Sequence, residues 1–245
     1  MSTAAVLRSE WIKIRSVRSV AGSLMAVFLA TLAVTVLAFA TVGQAEADDP
    51  GADLVFGAFY ALNFGQIAAI SFGATALSSE YLNGALRISL AAVPRRDLFY
   101  AAKMTVVGTL ALAVGLVTSF AAFLVGQMFM GEYAIGLDEP GALRAALGGG
   151  MYLALMALLA AGLTALLRSA VAVLSLLIPF ILIVSFVVGD IAGGVAQYLP
   201  DRAGQLVLHQ NPDGGLGPWT GLAVTAAWAG AALLAGWWAM RRRDA

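Results

Sequence analysis

The chain contains no cysteine, which removes disulfides, thiolate nucleophiles and cysteine-based metal sites. Lysine occurs only as Lys13 and Lys103, neither of which follows a glycine. A GxxxxGK[ST] phosphate loop is therefore excluded, and the chain does not bind ATP in that way. GxSxG and HExxH are missing as well, so hydrolases and metalloenzymes built on those motifs lack their parts. The single histidine, His209, stands beside Gln210 and Asn211 and reads as an ordinary surface residue. No metal site and no catalytic residue is expected.

Charge is scarce too. Charged residues make up 11% of the chain and hydrophobic ones 61%, with a mean hydropathy of +0.89, well outside the range of a soluble domain. This is the composition of an all-α integral membrane protein. Its 245 residues accommodate about six spans and their loops in one domain, 1–245, with no large extramembrane part.

Six uncharged stretches are placed at 20–42, 55–77, 104–130, 145–167, 170–188 and 219–240. At about 1.5 Å per residue each is long enough to cross a hydrocarbon core of roughly 30 Å. Trp219 and the pair Trp237 and Trp238 mark the two aromatic belts of the last one. Ala45-Glu46-Ala47 has the small-x-small pattern of a cleavage site, but the preceding apolar run is too long for a signal peptide, so the first span is expected to be retained.

Arginine and lysine are unevenly distributed. The N-terminal segment, the 78–103 loop, Arg168 and the run Arg241 to Arg243 hold 12 of the 14 basic residues, leaving Arg144 and Arg202 elsewhere. By the positive-inside rule both termini are expected in the cytoplasm. The acids concentrate on the other side, among them Glu46, Asp48, Asp49, Asp53, Glu132, Asp138, Glu139, Asp190, Asp201 and Asp213.

The loop SSEYLNGALRISLAAVPRRDLFYAAK, 78–103, is the longest cytoplasmic break. Wound at about 100° per residue, 79–93 places Glu80, Asn83, Gly84 and Arg87 on one stripe and Leu82, Leu86, Leu90 and Val93 on an apolar one. The spacing predicts one amphipathic helix over 79–93, ended by Pro94. A second helix starts at Asp97, whose carboxylate is expected to cap Tyr100, with Arg95, Arg96 and Lys103 flanking it. Such a loop either lies among lipid headgroups or is engaged by a soluble partner.

Residues 3–18 form a second amphipathic segment, with Val6, Leu7, Trp11, Ile14 and Val17 on one arc and Arg8 and Arg15 opposite, an interfacial helix leading into the membrane. Glu10 intrudes on the apolar arc, where it either pairs with Lys13 at i, i+3 or meets a charge from another element. Asn63 and Gln66 lie one turn apart on one face of the second span, either as interhelical glue or as substrate contacts; Gln127 is treated alike. Gly148, Gly149 and Gly150 allow close backbone approach or a hinge, and Pro179 is expected to kink the fifth span. Arg168 and Ser169 turn the fourth span tightly into the fifth, and 189–218 is expected to hold short helices packed on protein.

The order and spacing of these parts resemble the membrane subunit of bacterial ABC exporters of the type 2 (ABC-2) permease family. The resemblance is carried by Ser9-Glu10-Trp11-Ile12-Lys13 to Arg18; by Glu80-Tyr81, Gly84, Arg87 and Pro94-Arg95-Arg96 through Lys103; by Leu199-Pro200; and by Leu216-Gly217-Pro218-Trp219 with the closing Arg-Arg-Arg-Asp-Ala. It implies a multi-pass protein of the bacterial plasma membrane that holds no cofactor itself. A separate ATPase subunit, present in two copies, carries ATP and magnesium, and a second copy of this chain or a close paralogue completes the conduit. Lipid is a partner, and nucleic acid is not. The 79–93 helix would be the coupling helix, with Glu80, Asn83, Gly84, Arg87, Arg95 and Arg96 conveying nucleotide state. Glu10, Trp11 and Lys13 would brace it, and Asn63 and Gln66 would lie on the path of a hydrophobic or amphiphilic cargo. A six-span secondary transporter and a non-transporting membrane assembly protein are the alternatives, and the spans' lack of ionisable residues speaks against the first.

Overall fold

The computed structural model describes residues 2–185, 193–212 and 215–242, all helix and loop with no strand among them. Asp190, Ile191, Asp213 and Arg243 lie outside the described residues. The N-terminal amphipathic segment is α1 (Thr3–Ser16), capped by Ser2 and burying Val6, Glu10 and Ile14 at four-residue spacing. It turns at Val17 into α2 (Arg18–Ala38), which loosens into a π-helical turn, Phe39–Gly43, before the short α3 (Gln44–Ala47). Then α4 (Leu54–Phe59), capped by Asp53, leads into α5 (Leu62–Ser78). The hydrogen bonds between these two tighten to i→i−3 around Tyr60 and Ala61.

The single helix expected over 79–93 is divided. A turn and a 3-10 segment, Leu82–Gly84, precede a shorter helix α6 (Ala85–Ala92). The cause is Gly84, which sits at φ +73 as the cap of α6, a left-handed conformation that a helix interior does not contain. Pro94 does separate α6 from α7 (Arg96–Gln127). The cap assigned to Asp97 is not formed: Arg95 is the N-cap, and Asp97 instead accepts a bond of 2.8 Å from Trp237 Nε1.

The fourth long helix, α8 (Ala142–Leu167), is the most buried and forms the axis of the bundle, packed by α5, α7 and the last helix, α11 (Pro218–Arg242). Small residues make this possible. A Cβ on Gly73 of α5 would lie 1.9 Å from the Ala157 carbonyl oxygen, and one on Gly150 would lie 2.8 Å from the Leu116 backbone of α7. In hydrocarbon, where burial of apolar surface does not drive helices together, such backbone contact is the main source of association. The glycine run 148–150 thus gives close approach.

Arg168, at φ 58, and Ser169, whose hydroxyl accepts from Ala172 N–H, make the tight turn into α9 (Ala170–Pro179). At Pro179 the α pattern gives way to a π-helical stretch, Phe180–Ser185, as expected where a proline removes a backbone donor. Short helices do follow: a 3-10 segment Gly193–Tyr198, α10 (Pro200–Gln205) and a 3-10 turn Leu206–Leu208. They pack on α8 and α11, with Val207 and Leu208 buried and the Pro200 carbonyl held by Thr225 Oγ1 at 2.8 Å.

Among the described residues five helices are long and apolar enough to cross a membrane: 18–47, 54–78, 96–127, 142–167 and 218–242. The described apolar helix of the expected fifth span, 170–183, is shorter. Arg96, at the start of α7, donates to the Met240 carbonyl near the end of α11 at 2.9 Å, and Glu10 of α1 meets Lys103 of α7. Both ends of the described chain therefore lie at one end of the bundle.

Candidate functional site

At that end, four charged side chains from α1, the turn after α5 and α7 meet, with Glu10, Glu80 and Lys103 buried and Lys13 34% exposed at the edge. Lys103, 1% exposed, points its ammonium between two carboxylates, 2.7 Å from Glu80 Oε1 and 3.0 Å from Glu10 Oε2. The first contact is a hydrogen bond; the second is an ion pair whose alignment leaves Glu10 Oε2 without one. Lys13 Nζ lies 2.7 Å from Glu10 Oε1 and 3.2 Å from Glu80 Oε1. It also donates to Ser89 Oγ of α6 at 2.9 Å, and that hydroxyl donates to Glu80 Oε2 at 2.9 Å.

Two ammonium and two carboxylate groups cancel in charge, which is the condition under which ions tolerate such burial. Removing any one of them leaves an uncompensated charge. Burial by itself pushes the Glu80 carboxyl up, but the attraction and hydrogen bond of Lys103, then the charge of Lys13 and the Ser89 hydroxyl, more than offset it. The group is held below its ordinary range and is ionised at neutral pH. Phe99 closes one side, its ring centroid 5.3 Å from Lys13 Nζ. A cavity of about 270 Å³ lined by Val6, Glu10, Lys13, Ser89 and Phe99 lies alongside.

Both alternatives considered for Glu10 are realised at once, since it pairs with Lys13 on its own helix and with Lys103 on another. Glu80 faces inward from its turn, 3% exposed, and does not share a stripe with Arg87, which is exposed on α6. Gly84 and Arg95 are exposed, Asn83 lies in the 3-10 turn, and Trp11 is exposed on α1. Arg96 is used in tying α7 to the end of α11. Tyr81 extends the network toward α8, donating to the Ala165 carbonyl at 3.4 Å with the Arg168 guanidinium 5.8 Å over its ring.

Sequence reasoning passed over Lys103 and Ser89 as members of this cluster. A signal was present: the chain has two lysines among 14 basic residues, and both are here. A compact ammonium with three donors suits a position between carboxylates in a way the planar guanidinium does not.

The side chains of Asn63 and Gln66 do not bond to each other, although the Gln66 amide donates to the Asn63 carbonyl at 3.0 Å. Gln66 is buried and accepts from Tyr152 Oη of α8, which also accepts from Gln205 at 3.3 Å, while the Asn63 amide returns to its own helix at Tyr60 O. Gln127 is likewise occupied, accepting from Ile135 N–H at 2.8 Å. At the bundle end opposite the ion cluster, His209 stacks on Phe56 at 4.1 Å and meets Asp53 Oδ2 at 3.2 Å. Gln210 N–H donates to the same oxygen at 3.0 Å, so the histidine belongs to a structured cap.

These features define a polytopic helical membrane protein whose inward-facing ion cluster ties a short surface helix to the bundle. Residues 6–188, well over half of the chain, match the family described as ABC-2 family transporter protein. The chain belongs to that family, and it is a multi-pass membrane component of a transporter. The comparison with curated proteins found no match.

Proposed function

We propose that this chain is the membrane-spanning half of an ATP-driven exporter in a bacterial plasma membrane. It crosses six times, keeps both termini in the cytoplasm, and pairs with a second copy or a close paralogue. Two ABC ATPase subunits supply ATP and magnesium and engage the 78–103 loop. The observation that carries this reading is the ion cluster. It fixes the loop to α1 and α7 through Glu80 and Ser89, so a push on α6 is delivered to the bundle rather than absorbed by a soft tether. Placement of both described chain ends at one end of the bundle supports an even number of crossings.

In this reading Glu80 acts through the cluster, while Gly84, Arg87, Arg95 and the exposed Ile88 and Leu82 form the contact face. ATP-driven closure must favour one access state over the other, since a push that stabilises both equally moves nothing. Cargo of hydrophobic or amphiphilic character passes between two chains, at an interface lined by the first, second and fifth spans, with Asn63 of α5 toward the path and Gln66 held inside the bundle by Tyr152. The chain is free of cysteine, which makes the test direct. Co-expressed with an ABC ATPase that co-purifies with the chain, Ile88→Cys is expected to cross-link to that subunit in membranes, and the reconstituted pair to move cargo only with hydrolysable ATP. Transport by the chain alone, driven by an ion gradient, would instead establish the secondary transporter.

A further inference from the structure

At the end of the bundle opposite the ion cluster is a second cavity, of about 270 Å³, between α2, α4 and the end of α7. Four aromatic side chains line it, Phe39, Phe56, Tyr60 and Tyr133, together with the carboxylates of Glu46 and Asp53; no lysine, arginine or histidine is among its lining residues. Two departures from regular helix converge on it. The π-helical turn Phe39–Gly43 forms one wall and the tightened stretch at Tyr60 and Ala61 another. Such irregularities recur at functional sites, and non-helical backbone at membrane depth is tolerated where it is buried in protein or lines a cavity.

The two acids differ in availability. Asp53 is committed to the fold: Oδ1 accepts from Phe56 N–H at 2.9 Å, and Oδ2 faces His209 and Gln210 N–H. Glu46 is exposed and enters none of the salt bridges of the described residues. Tyr133 is fixed by its hydroxyl, which donates to Asp48 Oδ1 at 2.7 Å.

We infer that this cavity is a binding site for a small organic cation of the quaternary-ammonium class with an apolar body. Aromatic rings attract a cation through their quadrupoles, by about 0.5–2 kcal/mol according to desolvation. A quaternary ammonium has no N–H to satisfy, so it enters an apolar cage without leaving a donor unpaired. Glu46 supplies the opposing charge at the mouth. The volume lies near the lower end of ligand sites, roughly 300–1,000 Å³, which restricts the ligand to a small one. The site rests on the permease reading only for its role as a cargo or effector subsite, because binding is measured on the chain without ATPase or nucleotide.

The test is calorimetric titration of the purified chain in lipid nanodiscs with benzyltrimethylammonium, against its uncharged carbon isostere neopentylbenzene. The cation is expected to bind saturably and the isostere to show only partition into lipid. Glu46→Gln and Tyr133→Leu are each expected to raise Kd by about twofold to thirtyfold, the range equivalent to 0.5–2 kcal/mol. Asp138→Asn, an acid outside the cavity, is expected to leave Kd unchanged. Absence of saturable binding, equal binding of the isostere, or an equal effect of Asp138→Asn would each overturn the assignment. Melting curves matching the wild type for Glu46→Gln and Tyr133→Leu exclude misfolding as the cause of lost binding.

Discussion

Lys103 Nζ lies 2.7 Å from Glu80 Oε1, and neither side chain retains more than 4% of its surface. The pair joins the first turns of α7 to the turn that follows α5. Breaking a buried pair by removing one partner costs about 3–5 kcal/mol, whereas removing both with shape preserved is often nearly neutral.

Lys103→Met is accordingly expected to lower stability severely, since it leaves the Glu10 and Glu80 carboxylates facing each other with Lys13 alone to balance them. The double change Lys103→Met, Glu80→Gln, which leaves Glu10 paired with Lys13, should recover most of the loss. Thermal unfolding in detergent reads both, and a double variant no better than the single one would argue against charge imbalance as the cause.

The same cluster sets an acid limit. Burial raises the Glu80 carboxyl and the lysines bring it below its ordinary value of 4.5, so the folded state binds its proton less readily than the unfolded chain. Its contribution is fully present above about 4.5 and is lost as pH falls through the lower folded value. The melting temperature of the wild type should therefore fall below about pH 4.5 more steeply than that of Glu80→Gln. Matching acid slopes for the two proteins would remove Glu80 as the responsible group.

Gly73 tests the packing of the bundle axis. Alanine there sets a Cβ 1.9 Å from the Ala157 carbonyl oxygen, which forces α5 and α8 apart and is expected to cost about 1–3 kcal/mol. Gly22→Ala on α2, where a Cβ meets nothing within 4 Å, should leave the melting temperature within a degree or two of wild type. Equal effects at the two positions would mean that these helices are not in backbone contact.

Arg87→Ala removes an exposed charge from α6. It is expected to leave insertion unchanged and to reduce cargo-stimulated ATP hydrolysis by the reconstituted complex several-fold, the range of a partly exposed interface charge. Glu80→Ala should reduce the same activity together with stability, because its effect runs through the cluster. Undiminished hydrolysis in both variants would remove the loop from coupling.

Much of the architecture is fixed by one-dimensional properties. The positions of the five long apolar helices among the described residues follow from uninterrupted apolar length, the stop at Pro94 and the irregularity after Pro179 from a missing donor, and the amphipathic α1 from its period. Family likeness followed from the order of Glu10, Gly84, Arg87 and Pro94 along the chain. The turn at Gly84 was less legible: periodicity over 79–93 suits a continuous helix, and only the left-handed backbone at that glycine decides otherwise. Asp97 was misplaced for a related reason, since its partner Trp237 is 140 residues distant. The tertiary structure alone determined that Glu80 and Lys103 join the i, i+3 pair of Glu10 and Lys13 in one site, because ion pairing between separate elements depends on positions in space that spacing along the chain does not encode.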